Sequence, residues 1–528
     1  MVRWLAFLVA LAVPCAAAAE WREAVTRHFV VYSGGSEAEL REAARELETY
    51  DFLLRQVIDV PKDDPIKLKI YLMRDIKAVQ ETLGYGIGGT VAGYYVAAPR
   101  GPIAVGTRDD GDLGWDMSSR TVLFHEYAHH LMLQHFAATY PQWYVEGFAE
   151  FFGVTKILPG NVVEIGHPAR HRAYALNDGG WIPLKTLLTA RTWKDIDGKY
   201  WLLYGQGWLL THYLYNNKER ATQLRQFLAD INNGVDRKTA MDAAFGKDAE
   251  ELDRELRAYM RRNRFEGTRA TFASIDTGPI DIRLLRPAEE ELIRHEIALG
   301  RGVFARHAER FATDVRRIAA RFPNDPHALA VLAEAEHLAG QQEAAAAAAD
   351  RWLQIEPEAP RALALRSRIA AQALAASASK DAKAWDAARK WVAQARAKAP
   401  QDPFVLEAFY DSYAAQGILP PARAQNALYR AMELVPQDDQ LRYKVAADFE
   451  QRGLFEAAIL AISPAAYGAH EPEQEKEKDK AKREKAEEKW RKAGMERTES
   501  AREMLARLQQ KFAEASAQKP PAQTASNP

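Results

Sequence analysis

The segment Thr121–His130, TVLFHEYAHH, constrains this 528-residue chain more than any other stretch. It contains H-E-x-x-H at His125, Glu126 and His129. On a helix, positions four apart share a face, so both imidazoles can reach one ion. Glu126 is rotated away from that face and is placed to contact a water rather than the ion. The apolar residues just before the motif bury such a helix. Two nitrogens do not complete a catalytic zinc site, which needs a third protein ligand and a fourth position left open. Sixteen residues separate His129 from Glu146, which lies in WYVEGFAEFF (Trp143–Phe152). A second helix there can return antiparallel and present a carboxylate, with Glu150 four residues on from Glu146 along the same face.

The N-terminus narrows the ligand chemistry. Arg3 precedes an apolar run from Trp4 to Val13, then Pro14 and the small residues Ala16–Ala19. This is the layout of a secretory signal peptide, with cleavage expected after Ala19. The run is too short to span a bilayer, which takes about 20 residues. The single cysteine, Cys15, lies inside this segment. The mature chain would then have no disulfide and no thiolate ligand, so a metal must be held by His, Asp or Glu. The expected location is outside the cytoplasm, periplasmic or secreted, with no membrane span after signal cleavage. A formal net charge of -1 gives no electrostatic case for a nucleic-acid partner.

A chain this long exceeds what one core serves, and the patterning divides it. After the signal peptide at 1–19, residues 20–116 form an α/β subdomain. His28–Ser33, Ile66–Met73, Val91–Val96 and Pro102–Thr107 pattern as strands, and Ser36–Val57 as a helix capped by Ser36. Residues 117–268 form a helical zinc-binding subdomain, with Leu158–Asp197 a loop-rich surface stretch. A unit ending near Thr268 is expected to be self-contained. From 282 to 465 a repeat appears. PNDP, PEAP, PQDP and PQDD begin at Pro323, Pro357, Pro400 and Pro436, at intervals of 34, 43 and 36 residues. Gly340, Gly417 and Gly453 mark turns between helices, and Ala375–Lys380 reads as a loop insertion in the longest interval. These three to four repeats resemble tetratricopeptide repeats. Residues 466–528 are a charged helix, dense in Glu and Lys over Glu471–Lys492, and a disordered tail.

HEYAH followed by W-x-x-E-G-x-A-E resembles the gluzincins, the thermolysin-like and M1-aminopeptidase-like zinc metallopeptidases. Over its whole length the chain also resembles bacterial DUF1570-type peptidase-like proteins. The gluzincin resemblance covers Glu20 to Arg262 and implies one zinc ion on His125, His129 and Glu146. It implies that Glu126 is the general base and that Glu150 orients a ligand histidine. Tyr204, in YGQGWLLTHYL, resembles the tyrosine that donates a hydrogen bond to the tetrahedral oxyanion. M1 aminopeptidases carry a glutamate on the strand beside the metal helix, but VAGYYV and PIAVGT contain no acid. The resemblance therefore leans towards cleavage within a chain.

The expected fold is an α+β zincin-like catalytic region, a small sheet plus a helical subdomain, followed by an all-α repeat array. The expected function is an exported zinc-dependent endopeptidase acting on a peptide or protein, with a protein partner bound through the repeats. The alternative is a catalytically inactive peptidase-fold scaffold. His130 and His135 face away from the ligand side, while His171 or His212 could line the cleft.

Overall fold

The computed structural model describes residues 20–58, 60–84, 92–108, 117–136, 138–178, 180–191, 193–262, 264–467 and 499–517. The expected signal peptide, the stretch 471–492 and the C-terminal tail lie outside the described residues.

Six strands form the first sheet: β1 (Arg22–Val25), β2 (Phe29–Ser33), β3 (Leu68–Met73), β4 (Tyr94–Val96), β5 (Ile103–Thr107) and β9 (Asp281–Leu284). Their order is β4-β5-β3-β2-β1-β9. The inner strands β2, β3 and β5 run parallel, and the other pairs are antiparallel. Successive side chains of a strand point to opposite faces. Phe29, Val31, Leu68, Ile70, Leu72 and Ala104 accordingly face one way, towards helix α1 (Glu37–Val57). Tyr32, Tyr71, Met73, Ile103 and Val105 face the other way, where the short helix α2 (Ile76–Glu81) covers part of the sheet. The start of α1 is set locally. Ser36 Oγ accepts from the Glu39 N–H at 3.2 Å, and Glu39 accepts from the Ser36 N–H at 2.7 Å.

The second region is helical. It comprises α3 (Ser119–His135), α4 (Gln142–Gly153), α5 (Ala173–Asp178), α6 (Leu184–Thr189), α7 (Tyr200–Tyr215), α8 (Lys218–Asn232), α9 (Arg237–Phe245) and α10 (Glu250–Arg261). The stretch expected to be loop is more ordered than its Gly and Pro content suggests. It begins at the last residue of β6 (Lys156–Leu158) and contains β7 (Val162–Ile165), α5 and α6. The chain returns at β8 (Thr268–Thr271) to close a three-stranded sheet in the order β6-β7-β8. Gly160 and Asn161, with φ of 80° and 56°, make the tight reversal between β6 and β7.

Helical pairs follow: α11 (Pro287–Arg301) with α12 (Ala308–Ala319), α13 (Pro326–Leu338) with α14 (Gln342–Ile355), and α15 (Pro360–Ala376) with α16 (Ala382–Lys398). Two more are α17 (Pro403–Ala414) with α18 (Ala422–Leu434) and α19 (Asp439–Gln451) with α20 (Phe455–Tyr467), which α21 (Ala501–Ala517) covers. This is an all-α array of helical pairs. The Pro-marked boundaries open helices: Pro326, Pro360 and Pro403 occupy first turns, and Asp325, Asp402 and Asp438 are N-caps. Gly340, Gly417 and Gly453 take φ of 77°, 73° and 71°, the left-handed conformation that ends a helix at little cost to glycine. The 43-residue interval is absorbed mainly by lengthening α15 and α16 to 17 residues each, against 13 and 14 for α13 and α14, and only slightly by the connection at 377–381. Among the described residues no helix is long and apolar enough to cross a membrane.

The boundary expected at 282 does not separate two units. Strand β9 pairs with β1 from Asp281 to Leu284. Ile293 and Ile297 of α11 then pack on Tyr32, Tyr71, Met73, Ile103 and Val105, so the first array helix covers the outer face of the sheet. Further along, Arg361 donates to the Arg100 carbonyl at 3.0 Å, and Gln134 of α3 donates to the Leu434 carbonyl at 2.9 Å. Arg502 reaches the Arg191 carbonyl at 3.2 Å. The expectation of a self-contained unit ending near Thr268 is thereby corrected. A chain stopped at Thr268 lacks β9 and leaves this apolar face bare. At about 1.5–3 kcal/mol for each large side chain uncovered, the loss rivals a whole domain's net stability. That truncation is expected to aggregate, while one ending at Ala339, which keeps α12 and α13 on the other face of α11, stays soluble. Soluble yield and thermal unfolding compare the two, and equal stability would contradict the role of α11.

Candidate metal centre

Helix α3 is positioned from its buried side. Ser118 caps it, accepting from the Thr121 N–H at 3.1 Å. Phe124 stacks on Tyr50 of α1 with centroids 3.9 Å apart, and Tyr127 meets Phe29 of β2 edge-on at 5.1 Å. Tyr127 also donates to Asp51. With this side held by α1 and β2, His125 and His129 turn towards α4. Helix α4 is buried along its whole length. It crosses α7 so closely that a Cβ on Gly147 would lie 2.3 Å from the Gly207 carbonyl oxygen, and one on Gly207 would lie 2.6 Å from that of Trp143. At its other end, a Cβ on Gly153 would meet the His125 Cβ at 3.2 Å. Small residues at these crossings let the backbones approach and carry Glu146 to the histidines.

The three expected ligands converge. His125 Nε2 and His129 Nε2 are 3.0 Å apart, and Glu146 Oε2 lies 3.5 Å from each. Ligands about 2.0–2.1 Å from a tetrahedral zinc ion stand about 3.3 Å from one another, so these residues fit that ion. His129 and Glu146 are buried, and His125 is half-buried.

Glu150 stands behind the ligands, with Oε1 3.4 Å from His125 Nδ1. His171 Nε2 donates to its other oxygen at 2.8 Å, and Arg172 donates to Oε1 through Nε at 2.9 Å and a terminal nitrogen at 2.6 Å. Burial opposes ionisation of Glu150. The Arg172 charge and the His171 hydrogen bond outweigh it and hold the carboxyl well below the usual carboxylate range. Glu126 behaves oppositely. Burial, with the charges of Glu146 and Glu150 added, pushes it up to about 7, against the opposing pull of His129. The Tyr204 ring lies beside His125 with centroids 6.3 Å apart, and Arg172 covers that ring at 4.6 Å.

The remaining histidines separate by role. His130 is buried, with Nδ1 3.1 Å from the Tyr95 hydroxyl, and His135 pairs with Asp64 at 2.8 Å. His212 sits against the Gly166 carbonyl and the Tyr259 hydroxyl, away from the ligands. His171 is the one that joins the site, through Glu150. Sequence reasoning missed Arg172. It lies in the stretch taken for loop, and no spacing rule ties an R-H-R run to a helix about twenty residues upstream.

A second cluster, His28, Glu48 and Asp51, also brings potential ligand atoms within 4.8 Å of one another. His28 Nδ1 faces Glu48 at 2.8 Å and Asp51 at 3.2 Å, while Nε2 faces the Lys62 carbonyl at 2.7 Å. Both ring nitrogens face acceptors, a setting that favours the doubly protonated ring over a metal ligand. Burial works against its charge, but the Glu48 hydrogen bond and the charges of Asp51 and Glu48 prevail and raise its pKa.

No protein-family model matches the chain, and no curated protein matches it. Several solved structures share local likeness. A thermophilic tetratricopeptide-repeat protein of Thermus thermophilus is 19% identical, with a TM-score of 0.29, over 38% of this chain and 97% of its own. MamA of Desulfovibrio magneticus is 17% identical, with a TM-score of 0.24, over 33% and 91%. A tetratricopeptide-repeat protein of Parabacteroides merdae is 14% identical, with a TM-score of 0.21, over 51% and 97%.

The His28 network yields a pH dependence. A raised folded pKa means its stabilisation is complete below the unfolded value, about 6.5, and is lost as pH rises through the folded one. Urea unfolding at pH 6 and pH 9 should show wild type weaker at pH 9 through this group. His28→Leu, which leaves Glu48 buried without its cation while Asp51 keeps Arg55, is expected to cost about 3–5 kcal/mol at pH 6. A variant as stable as wild type there would refute the ion-pair assignment.

Proposed function

We propose that the chain is an exported zinc-dependent peptidase of the gluzincin type, acting within peptide chains. The observation that carries this reading is the facing of His125 Nε2, His129 Nε2 and Glu146 Oε2 at spacings that suit one zinc ion, with Glu126 alongside. A zinc ion held there would supply Lewis-acid polarisation of a scissile carbonyl. The residues of the chain supply the rest. Glu126 takes a proton from the attacking water and returns it to the leaving amine. Glu150 orients His125 through Nδ1, as the carboxylate partner of a ligand imidazole does. Tyr204 is assigned the hydrogen bond to the oxyanion, a donation worth about 2.7–4 kcal/mol in comparable sites. Strands β4 and β5 contain no acid to hold a substrate's free amine, which favours internal cleavage. Export rests on the signal-like N-terminus, with cleavage after Ala19.

The repeats are assigned a protein partner, because stacked helical pairs build the extended surfaces that hold one. A scaffold reading, in which the repeats bind protein and the ligand set does no chemistry, is the alternative. Purified protein assayed for zinc and for cleavage of a generic peptide separates the two. Glu126→Gln is expected to keep about one zinc per chain and lose about 100- to 10,000-fold in kcat. Zinc without hydrolysis in wild type would leave the scaffold.

The ligand assignment has its own test. Glu146→Ala removes a metal bond and should abolish zinc retention through dialysis, whereas Glu150→Ala should weaken affinity only about 10- to 100-fold. Equal retention in both variants would place the third ligand elsewhere.

A further inference from the structure

Arg172 touches two parts of the centre that come from different helices. Two of its nitrogens bind the same oxygen of Glu150, at 2.9 Å and 2.6 Å, and that oxygen lies 3.4 Å from His125 Nδ1. The Cζ of the same guanidinium lies over the Tyr204 ring, 4.6 Å from its centroid. Tyr204 in turn lies beside His125 with the two rings inclined by only 26°. Arg172, Glu150, His125 and Tyr204 thus close a ring of contacts around one metal ligand.

The backbone of Arg172 is held independently of its side chain. A Cβ on Gly205, the neighbour of Tyr204 in α7, would come within 3.5 Å of the Arg172 carbonyl and 3.3 Å of Ala175 and Leu176. The segment Arg170–Leu176 is therefore packed on the first turns of α7. Its side chain is 22% exposed while the Glu150 side chain is 1% exposed, so the guanidinium forms the solvent-side cover of a buried carboxylate.

We infer that Arg172 is a positioning residue of this centre, fixing Glu150 behind His125 and holding the Tyr204 ring from one planar group. The inference rests on the peptidase reading for the Tyr204 half and only on metal binding for the Glu150 half. A guanidinium suits the task because its donors lie in one plane, leaving the face free to stack on an aromatic ring. A lysine ammonium can replace the charge beside Glu150 but offers no such face. The two contacts can therefore be separated by substitution.

The test compares Arg172→Gln, Arg172→Lys, Tyr204→Phe and the double variant Arg172→Lys with Tyr204→Phe, all in the full-length chain. Zinc affinity is read by chelator competition, and kcat and KM at saturating zinc on a generic peptide. Arg172→Gln should weaken zinc about 10- to 100-fold, the usual effect of losing an outer-shell partner. Arg172→Lys should restore zinc affinity but keep a lowered kcat at unchanged KM. Tyr204→Phe should lower kcat without touching zinc affinity, and the double variant should be no worse than Tyr204→Phe alone. Unchanged zinc affinity in Arg172→Gln overturns the Glu150 half, whether or not a peptide is cleaved. Full kcat in Arg172→Lys, or losses that multiply in the double variant, overturns the Tyr204 half. A wild type that binds zinc but hydrolyses nothing, with weakened zinc in Arg172→Gln, sinks the peptidase reading and leaves Arg172 positioning the metal alone.

Discussion

Everything at the centre depends on how closely three helices approach one another. Glu146 can stand 3.5 Å from two imidazoles only because α4 meets α7 backbone to backbone at Gly147 and Gly207, and meets α3 beside Gly153. Larger residues would push the helices towards the usual interaxial spacing of about 8–10 Å. The carboxylate would then fall short. The aromatic side chains on α4 work to the same end. Trp143, Phe148, Phe151 and Phe152 are buried in the core that α3, α4 and α7 share, so the apolar packing holds together what the glycines let meet.

Behind α3 lies a different kind of support. Asp51 joins Tyr127 of α3 to Arg55 and to the His28 ring at the start of β2, and Arg55 continues to Asp64. Such buried charges are costly unless each is paired and hydrogen-bonded. Here each has partners from more than one element, so the network fixes α1, β2 and α3 relative to one another. The stacked Tyr50 and Phe124 rings beside it supply the apolar half of the same contact.

The array is part of this structure rather than an appendage to it. A sheet with one face open to water needs a polar face, and the outer face here is built of Tyr32, Tyr71, Met73, Ile103 and Val105. Helix α11 resolves that mismatch. The bond from Gln134 of α3 to the Leu434 carbonyl, and that from Arg502 to the Arg191 carbonyl near α6, extend the contact along the array. Sheet, helical region and repeats therefore share one continuous set of interfaces.

Much was legible in the order of the residues. H-E-x-x-H specifies two side chains on one helical face, because that depends only on the helical period. The alternation of β2, β3 and β5, the Ser36 and Ser118 caps, and the Pro and Gly marks of the repeats are equally local. Glu146 could be chosen because W-x-x-E-G-x-A-E resembles the ligand-bearing helix of the gluzincins. Tertiary structure alone decided the rest. The strand β9, some 250 residues from its partner β1, joins the first sheet through pairing that no local pattern announces. Arg172 and His171 reach Glu150 because a segment rich in turn-forming residues folds onto α7. His28 reads as an ordinary strand residue, and its pKa is raised only because folding sets carboxylates and a carbonyl around both ring nitrogens. Periodicity reports what a residue does within its own element, whereas these contacts depend on which elements meet, and packing settles that.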